Sequence, residues 1–258
     1  MRIDEILRIM NEKAPLSLSA AACSVLGAYD NSGLLIEGRE KETEGVVFAL
    51  DLNRAVVDLA EKSGYKLIIT HHPAIYRPIK TISCGVYTRC IESGITVYST
   101  HLSLDSAKAG IDDGLALLCG ARNVDDLKIL ENTVDGRGFG RSFKVEKTTF
   151  SERVRSIVSA IGTKKYMAFG DPETEITAVA SFCGAGLDEN LIDVAIDCEM
   201  LVSADIPHHV LLNALEKGKC VLQLTHYASE AIAMLEFARK TCDENNIKYR
   251  FYLDERFM

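Results

Sequence analysis

The sequence predicts an α/β protein built from two related halves, residues 1–125 (completed by the C-terminal segment) and residues 126–258. Short apolar runs bounded by turn residues alternate with segments of helical spacing along most of the 258-residue chain. Several runs are continuously apolar, as strands buried on both faces of a parallel sheet are. One order of strands, helices and histidines occurs twice, which predicts an internal duplication with ligands meeting between the halves.

Apolar spacing and end signals predict the elements of the first half. Ile3 and Ile6 open a helical pattern, and Pro15 follows where that pattern ends. Asn53 is a good N-cap, and Gly64 is a good residue to end the helix that Asn53 begins. The predicted strands cover 34–36, 46–50, 67–69 and 95–100, and the predicted helices cover 3–13, 17–27, 53–64, 84–93 and 112–120.

The second half begins with a stretch, residues 121–175, whose pattern predicts less regular structure. It contains a glycine-rich turn at 135–141 and a helix that starts at Thr148-Thr149. From Thr177 the alternation of the first half returns. The predicted strands cover 178–182, 200–202, 220–225 and 247–253, and the predicted helices lie near 191–194, 209–217 and 229–240.

Composition excludes several classes of protein. The 29 basic and 37 acidic residues give a net charge of -8, which disfavours broad nucleic-acid binding because that needs a basic face. No apolar stretch approaches the roughly 18 residues of a membrane span, and acidic residues stand where a signal peptide would be apolar. The eight cysteines form no CxxC pair and are interpreted as reduced core residues. We therefore expect a cytoplasmic protein without membrane contact.

All six histidines fall into two similar arrangements. In each, a His-His pair precedes an apolar run that ends in Thr-His, and a carboxylate follows four residues later. The copies are His71-His72 with Thr100-His101 and Asp105, and His208-His209 with Thr225-His226 and Glu230.

This pattern predicts a dinuclear metal centre. Functional side chains collect beyond the carboxyl ends of parallel strands, and imidazole with carboxylate suits zinc, iron or manganese. Side chains of adjacent residues on an extended strand diverge, so a His-His pair suits two ions better than one. Paired metals with open positions commonly activate water for hydrolysis. The predicted ligands are His71, His72, His101, Asp105, His226 and Glu230.

Three functions fit these residues. The first is a metal-dependent hydrolase of a small, anionic, nucleotide-like or phosphorylated substrate, with His209 as the candidate general base. The second is a non-enzymatic metal-binding or metal-handling scaffold. In the third interpretation, the histidines only make hydrogen bonds in the core. Metal analysis of the purified protein would distinguish this interpretation from the two that require bound metal.

Other polar residues leave two interpretations open. Arg77 and Lys80 are either solvated cations or the holders of an anionic substrate group. Cys183, beside Gly184, is either a nucleophile or a buried thiol. The turn at 136–141 is either an ordinary loop or a phosphate cradle, and it lacks the strand and helix that a dinucleotide fingerprint needs.

The chain resembles the NIF3 family, also called the dinuclear-metal-centre or GTP cyclohydrolase 1 type 2 family. The resemblance covers nearly the full length. It is carried by Tyr29-Asp30 with Gly33-Leu34, Thr70-His71-His72-Pro73 with Pro78 and Lys80, Ser99-Thr100-His101 with Asp105 and Gly114, Gly138 with Gly140-Arg141, Cys183-Gly184-Ala185-Gly186, Ala204-Asp205-Ile206 with His209, and Thr225-His226-Tyr227 with Ser229-Glu230.

The resemblance implies an α/β protomer in a toroidal homohexamer, with two metal ions per subunit facing an inner cavity. Carried over position by position, the family's ligands fall on the six residues that the spacing selects. Residues 121–175 are too short for the domain inserted in longer members. Ser203-Ala204-Asp205 departs from the Thr-Gly-Asp/Glu form of the family.

Overall fold

The computed structural model describes the whole chain, Met1–Met258, as a mixed α/β protein with two sheets. A 3-10 turn covers Val124–Asp126. The helices are α1 Ile3–Lys13, α2 Leu16–Leu26, α3 Arg54–Ser63, α4 Val86–Glu92, α5 Leu102–Ser106, α6 Ile111–Leu118, α7 Phe150–Ile161, α8 Glu189–Val194, α9 His208–Glu216 and α10 His226–Glu244, and the strands are β1 Gly33–Ile36, β2 Val46–Ala49, β3 Leu67–Thr70, β4 Thr96–Ser99, β5 Lys128–Val134, β6 Arg137–Thr149, β7 Tyr166–Phe169, β8 Glu175–Ser181, β9 Met200–Ala204, β10 Cys220–Leu224 and β11 Tyr249–Tyr252.

Contacts within the chain define two compact units. The first comprises Met1–Ala107 and Met234–Leu253, and the second comprises Lys108–Ala233 and Asp254–Met258. The division into 1–125 and 126–258 remains a prediction about the domains. No helix is both long and apolar enough to cross a bilayer.

The first unit contains a five-stranded sheet in the order β1-β4-β3-β2-β11. Strands β2, β3, β4 and β11 are parallel, and β1 pairs antiparallel with β4. Every residue of β2, β3 and β4 is buried, as the continuous apolar runs predict. Val56, Val57 and Ala60 of α3 pack in one core cluster with residues of these strands. The side chain of Asn53 accepts a hydrogen bond from the amide of Val56, which confirms the predicted N-cap.

The second unit contains a six-stranded sheet in the order β5-β6-β8-β9-β10-β7. Strands β8, β9 and β10 are parallel, and β7 pairs antiparallel with β10. Leu191 and Ile192 of α8 and Val210 and Ala214 of α9 pack in one core cluster with residues of this sheet. Helix α7 begins with a capping box formed by Thr149 and Glu152, at the predicted helix start.

The two sheets share one arrangement of four strands. The order β1-β4-β3-β2 in the first sheet matches β7-β10-β9-β8 in the second. In both, three successive strands are parallel, and the strand preceding them along the chain pairs antiparallel with the last of the three. This common topology is what an internal duplication predicts.

Two expectations were wrong in detail. Residues 121–175 are more regular than predicted, because β5 and β6 form a long hairpin around Asp135-Gly136. The two His-His pairs are also not equivalent. His71-His72 follows β3 directly, whereas His208-His209 forms the first turn of α9, and Asp205 is the residue that follows β9.

Candidate metal centre

Three predicted ligands of the first unit meet at one edge of its sheet. His71 and His72 follow β3, and His101 comes two residues after β4. These strands are parallel neighbours with Thr70 opposite Ser99, so their ends bring the histidines to the same edge. The candidate ligand atoms of the three rings lie within 4.8 Å of one another. This spacing is compatible with shared coordination of a cation.

In each of these rings Nδ1 faces an oxygen atom that can only accept a hydrogen bond. The Nδ1 of His71 lies 3.0 Å from the carbonyl oxygen of Thr100, and that of His72 lies 2.8 Å from a carboxylate oxygen of Asp51. His101 makes the same contact with Asp30 at 2.9 Å. Each Nδ1 therefore carries the proton and donates, which is the usual arrangement of a histidine that binds metal through Nε2.

Asp30 is built to remain ionised beneath His101. Its side chain is fully buried, and it accepts hydrogen bonds from Ser19 and Ser32 as well as from His101. Burial alone would raise the pKa of this carboxyl, but the three hydrogen bonds outweigh burial and hold the pKa well below its usual range. The hydroxyl of Ser32 also accepts a hydrogen bond from the backbone amide of His101. Asp30 and Ser32 thus fix both the ring and the backbone of this residue.

Asp105 adds a carboxylate to the histidine cluster. It lies in α5, whose first turn follows His101, and only 4% of its surface is exposed. One carboxylate oxygen is 3.3 Å from Nε2 of the fully buried His71. Asp105 therefore lies beside His71, one of the three histidines of the cluster.

The second unit brings His226 and Glu230 together. His226 begins α10, and its Nε2 is 3.2 Å from a carboxylate oxygen of the buried Glu230. Its Nδ1 is 2.7 Å from a carboxylate oxygen of Asp205. Because β9 and β10 are parallel with Ala204 opposite Leu224, Asp205 and His226 emerge at the same sheet edge. The pair repeats the pattern of the first unit, with an acceptor on Nδ1 and a carboxylate near Nε2.

The two carboxylates around His226 favour positive charge. Burial alone would lower the pKa of the imidazole, but the hydrogen bonds and charges of Glu230 and Asp205 outweigh burial and raise the pKa to about 9. Asp205 itself has a φ of 46°, a left-handed conformation that aspartate tolerates better than most residues.

A glycine leaves the space that this pair occupies. Gly184 follows β8 and has a φ of 52°. A Cβ at Gly184 would lie 2.5 Å from a carboxylate oxygen of Glu230 and 3.0 Å from the ring of His226. The amide of Gly184 donates to the hydroxyl of Ser229, and its carbonyl accepts from Ala204. The backbone at Gly184 therefore forms one wall of the His226–Glu230 pair.

The remaining candidates lie in different settings. His209 is an exposed residue in the first turn of α9. Arg77 and Lys80 are exposed in the loop between β3 and α4. Cys183 is buried, and its amide donates to Asp112, which also accepts from the amide of Gly140.

The sequence pattern did not identify the three aspartates whose carboxylates contact Nδ1 of the histidine rings: Asp30, Asp51 and Asp205. The signal that could have found two of them is their position. Asp51 comes two residues after β2, and Asp205 comes directly after β9, both at carboxyl ends of parallel strands. Asp30 precedes a strand instead, so only its contact with His101 assigns it a role.

Related proteins match the sequence of this chain over nearly its whole length. A GTP cyclohydrolase 1 type 2 homolog of Clostridium perfringens is 28% identical over 247 residues, 93% of this chain and 91% of its own. A homolog of the same name from Methanocaldococcus jannaschii is 29% identical over 242 residues, covering 92% of this chain and 93% of its own.

Solved structures show the same fold. Hypothetical protein SA1388 of Staphylococcus aureus matches 99% of this chain and 97% of its own with a TM-score of 0.85, at 20% identity. Reduced HcgD from Methanocaldococcus jannaschii matches 97% of both chains with a TM-score of 0.78, at 28% identity.

The profile of one protein family matches residues 1–254, which leaves only the last four residues outside. With the histidine and carboxylate groups that could hold metal, this match shows that the chain belongs to the family described as Duf34/NIF3 (NGG1p interacting factor 3).

Proposed function

We propose that this protein holds two divalent metal ions and hydrolyses a small anionic substrate. The observation that carries the proposal is the state of four histidines: His71, His72, His101 and His226 each direct Nδ1 to an oxygen acceptor. Histidines that bind metal almost always donate the N–H of the other ring nitrogen to a carboxylate or a backbone carbonyl, and Nδ1 of all four rings is placed in this way. Bound divalent ions would supply Lewis acidity and activate water for hydrolysis.

The proposed ligands are His71, His72, His101 and Asp105 together with His226 and Glu230. The last two offer only two donors, fewer than the three or four protein ligands of a typical zinc site. We therefore propose that all six residues are ligands of the two ions. Mixed nitrogen and oxygen donors favour zinc, iron or manganese.

The proposed substrate is nucleotide-like or phosphorylated. The names of several relatives, GTP cyclohydrolase 1 type 2 homolog, support nucleotides as the first compounds to test. Arg77 and Lys80 are exposed cations that make no ion pair with a carboxylate, so they are available to an anionic group. His209 is the proposed general base, a role that its ionisable ring permits. We further propose that the protein is cytoplasmic and forms a homohexamer. Light scattering would measure the mass of the assembly and so test the hexamer.

Metal analysis with a turnover assay tests the proposal. The purified protein should contain close to two ions per chain and hydrolyse some member of a panel of nucleotides, phosphoesters and amides. His101→Ala should lose metal and turnover. His208→Ala, which removes an exposed histidine outside the ligand set, should retain both.

The scaffold alternative predicts a different result. A metal-loaded protein without turnover on any panel member would favour it over hydrolysis. The variant His71→Ala with His226→Ala would then lose metal but keep its partner proteins. A wild-type protein that binds no zinc, iron or manganese would contradict both functions.

A further inference from the structure

Two exposed tyrosines of the first unit lie in the segment before β1 and in the loop after β3. Tyr29 and Tyr76 are 49% and 44% exposed, yet their rings pack edge to face with centroids 5.4 Å apart. The hydroxyl of Tyr76 also donates to the carbonyl oxygen of Tyr29 at 3.3 Å. Large aromatic rings usually gain stability by burial, so an ordered and exposed pair indicates a binding surface.

The loops that carry these rings are tied to each other. The side-chain amide of Asn31 donates to the carbonyl oxygen of Ile75 at 2.6 Å, which joins the segment before β1 to the loop after β3. The geometry of the tyrosine pair is therefore set by its surroundings as well as by ring contact.

One of these loops begins with His71 and His72, and the other contains the carboxylate that contacts His101. Tyr29 directly precedes Asp30, the carboxylate that orients His101. Tyr76 lies four residues after His72 in the loop that His72 begins. A ligand bound to the tyrosines would therefore contact the same two chain segments that contain Asp30 and His72.

A cation completes this surface. The guanidinium carbon of Arg77 lies 5.9 Å from the centre of the Tyr76 ring, within the range of a cation–π contact. Arg77 makes no ion pair with a carboxylate, although the chain has 37 acidic residues and a net charge of -8. An unneutralised arginine of an acidic protein, in the loop that begins with His71 and His72, favours an anionic ligand.

We propose that Tyr29, Tyr76 and Arg77 bind a planar aromatic ring that carries a phosphate group. The ring stacks on an exposed tyrosine face, and the phosphate pairs with the guanidinium group of Arg77. An edge-to-face pair leaves at least one face of Tyr29 uncovered by its neighbour, so a flat ligand has a surface to occupy. The inference rests on the proposed function, for which these residues select the substrate, and they take no part in holding metal.

Calorimetric titration of the metal-loaded protein tests the inference with three probes. Adenosine monophosphate contains both ring and phosphate, adenosine lacks the phosphate, and ribose 5-phosphate lacks the ring. We expect adenosine monophosphate to bind at least about tenfold more tightly than either fragment, because stacking and the charge pair act together. Equal affinity for adenosine monophosphate and ribose 5-phosphate would overturn the stacking assignment.

Variants assign the binding to these residues. Tyr76→Leu and Arg77→Gln should each weaken adenosine monophosphate about tenfold or more, and Arg77→Gln should leave adenosine unchanged. Tyr166→Leu and Arg122→Gln, which alter an exposed tyrosine and an exposed arginine of the second unit, should bind like the wild type.

Metal content and mass separate this inference from the proposed function. The tyrosine and arginine variants should retain the metal content of the wild type. If metal and turnover are present but the variants bind all three probes normally, the inference alone fails. If the variants instead change the mass of the assembly, the surface contacts a second copy of the chain, and the inference is overturned. If the wild type holds no metal, the proposed function fails first.

Discussion

Nδ1 of His101 lies 2.9 Å from a carboxylate oxygen of Asp30, and this contact lies beneath the histidine cluster. The carboxylate is fully buried and is also held by the hydroxyls of Ser19 and Ser32. Such a partner fixes the tautomer and the orientation of an imidazole and increases its basicity. Asp30 would thereby influence an ion bound by His101 without contacting that ion.

Asp30→Asn should weaken metal binding by about 10–100-fold, the usual effect of removing a carboxylate behind a histidine ligand. The amide keeps the size of the side chain, and its oxygen can still accept from Nδ1, but it removes the negative charge that increases the basicity of the ring. Titration with a competing chelator measures the change. Asp125→Asn, at an exposed aspartate paired with Lys108, should bind metal like the wild type. Equal chelator curves for the two variants would contradict the role of Asp30.

Gly184→Ala should reduce both stability and metal content. The new methyl group meets a carboxylate oxygen of Glu230 at 2.5 Å, and the φ of 52° is unfavourable for alanine. We expect a loss of about 2–4 kcal/mol in the free energy of unfolding, combining backbone strain with overpacking. Urea denaturation measures the stability, and metal analysis measures the site.

Gly162→Ala provides the matched control for that variant. Gly162 ends α7 with a φ of 75°, and a Cβ there meets nothing within 4 Å. It should cost only about 1 kcal/mol, from backbone strain alone, and retain metal. If both variants lost the same stability and both kept metal, the close approach of Gly184 to Glu230 would have no importance.

The sequence predicted most of the elements because their signals are local. Continuous apolar runs identified β2, β3 and β4, and Asn53 and Gly64 bounded α3. The β5–β6 hairpin was missed although Asp135-Gly136 carries its signal. Both residues have positive φ values, 49° and 66°, as a two-residue hairpin turn requires, and Asp-Gly is a preferred pair there.

The candidate site shows a different limit. The four-residue spacing predicted the contact of His226 with Glu230, since four residues make about one helical turn, whereas Asp105, four residues after His101, contacts His71. The repeated His-His pair was misleading, because the same two residues occupy different positions in the two units. His208-His209 begins α9, and the residue that contacts His226 is Asp205. Contacts such as that of Asp30 with His101 join residues 71 positions apart, and no local pattern encodes them.

Glu199 should give stability that depends on pH. Its carboxylate accepts hydrogen bonds from the backbone amides of Thr177 and Ala178 at the start of β8. Burial alone would raise its pKa, but these hydrogen bonds outweigh burial and lower the pKa below the usual value. A lowered pKa in the folded state means that the unfolded chain takes up the proton first on acidification. The stabilisation is therefore full above the unfolded pKa and disappears as the pH falls through the folded pKa.

Glu199→Gln should accordingly lose a few tenths to about 1 kcal/mol at pH 7, because solvent screens this half-buried carboxylate. The difference from the wild type should shrink towards zero at acidic pH. Urea denaturation at several pH values measures it. Glu175→Gln, at an exposed residue paired with Lys147, should show a smaller difference at neutral pH. A difference for Glu199→Gln that stayed constant down to acidic pH would contradict the assigned role of its charge.

Arg141→Met should be the most destabilising of these changes. Arg141 is 2% exposed, pairs with the buried carboxylate of Asp113, and donates to the carbonyl oxygens of Gly138 and Gly140. Methionine fills much of the volume but leaves a buried charge and two carbonyl oxygens without their donor. We expect a loss of about 3–5 kcal/mol, the usual effect of removing one partner of a buried ion pair.

Arg239→Met is the surface counterpart of that change. Arg239 pairs with Glu236 and Asp243 along one face of α10, where the side chains are more than half exposed. Its removal should cost less than about 1 kcal/mol, because water solvates the carboxylates that remain. Urea denaturation of both variants gives the comparison. Similar losses of unfolding free energy in the two variants would mean that Asp113 is protonated or reached by water once Arg141 is gone. The buried Arg141–Asp113 pair would then not be what fixes the β6 backbone.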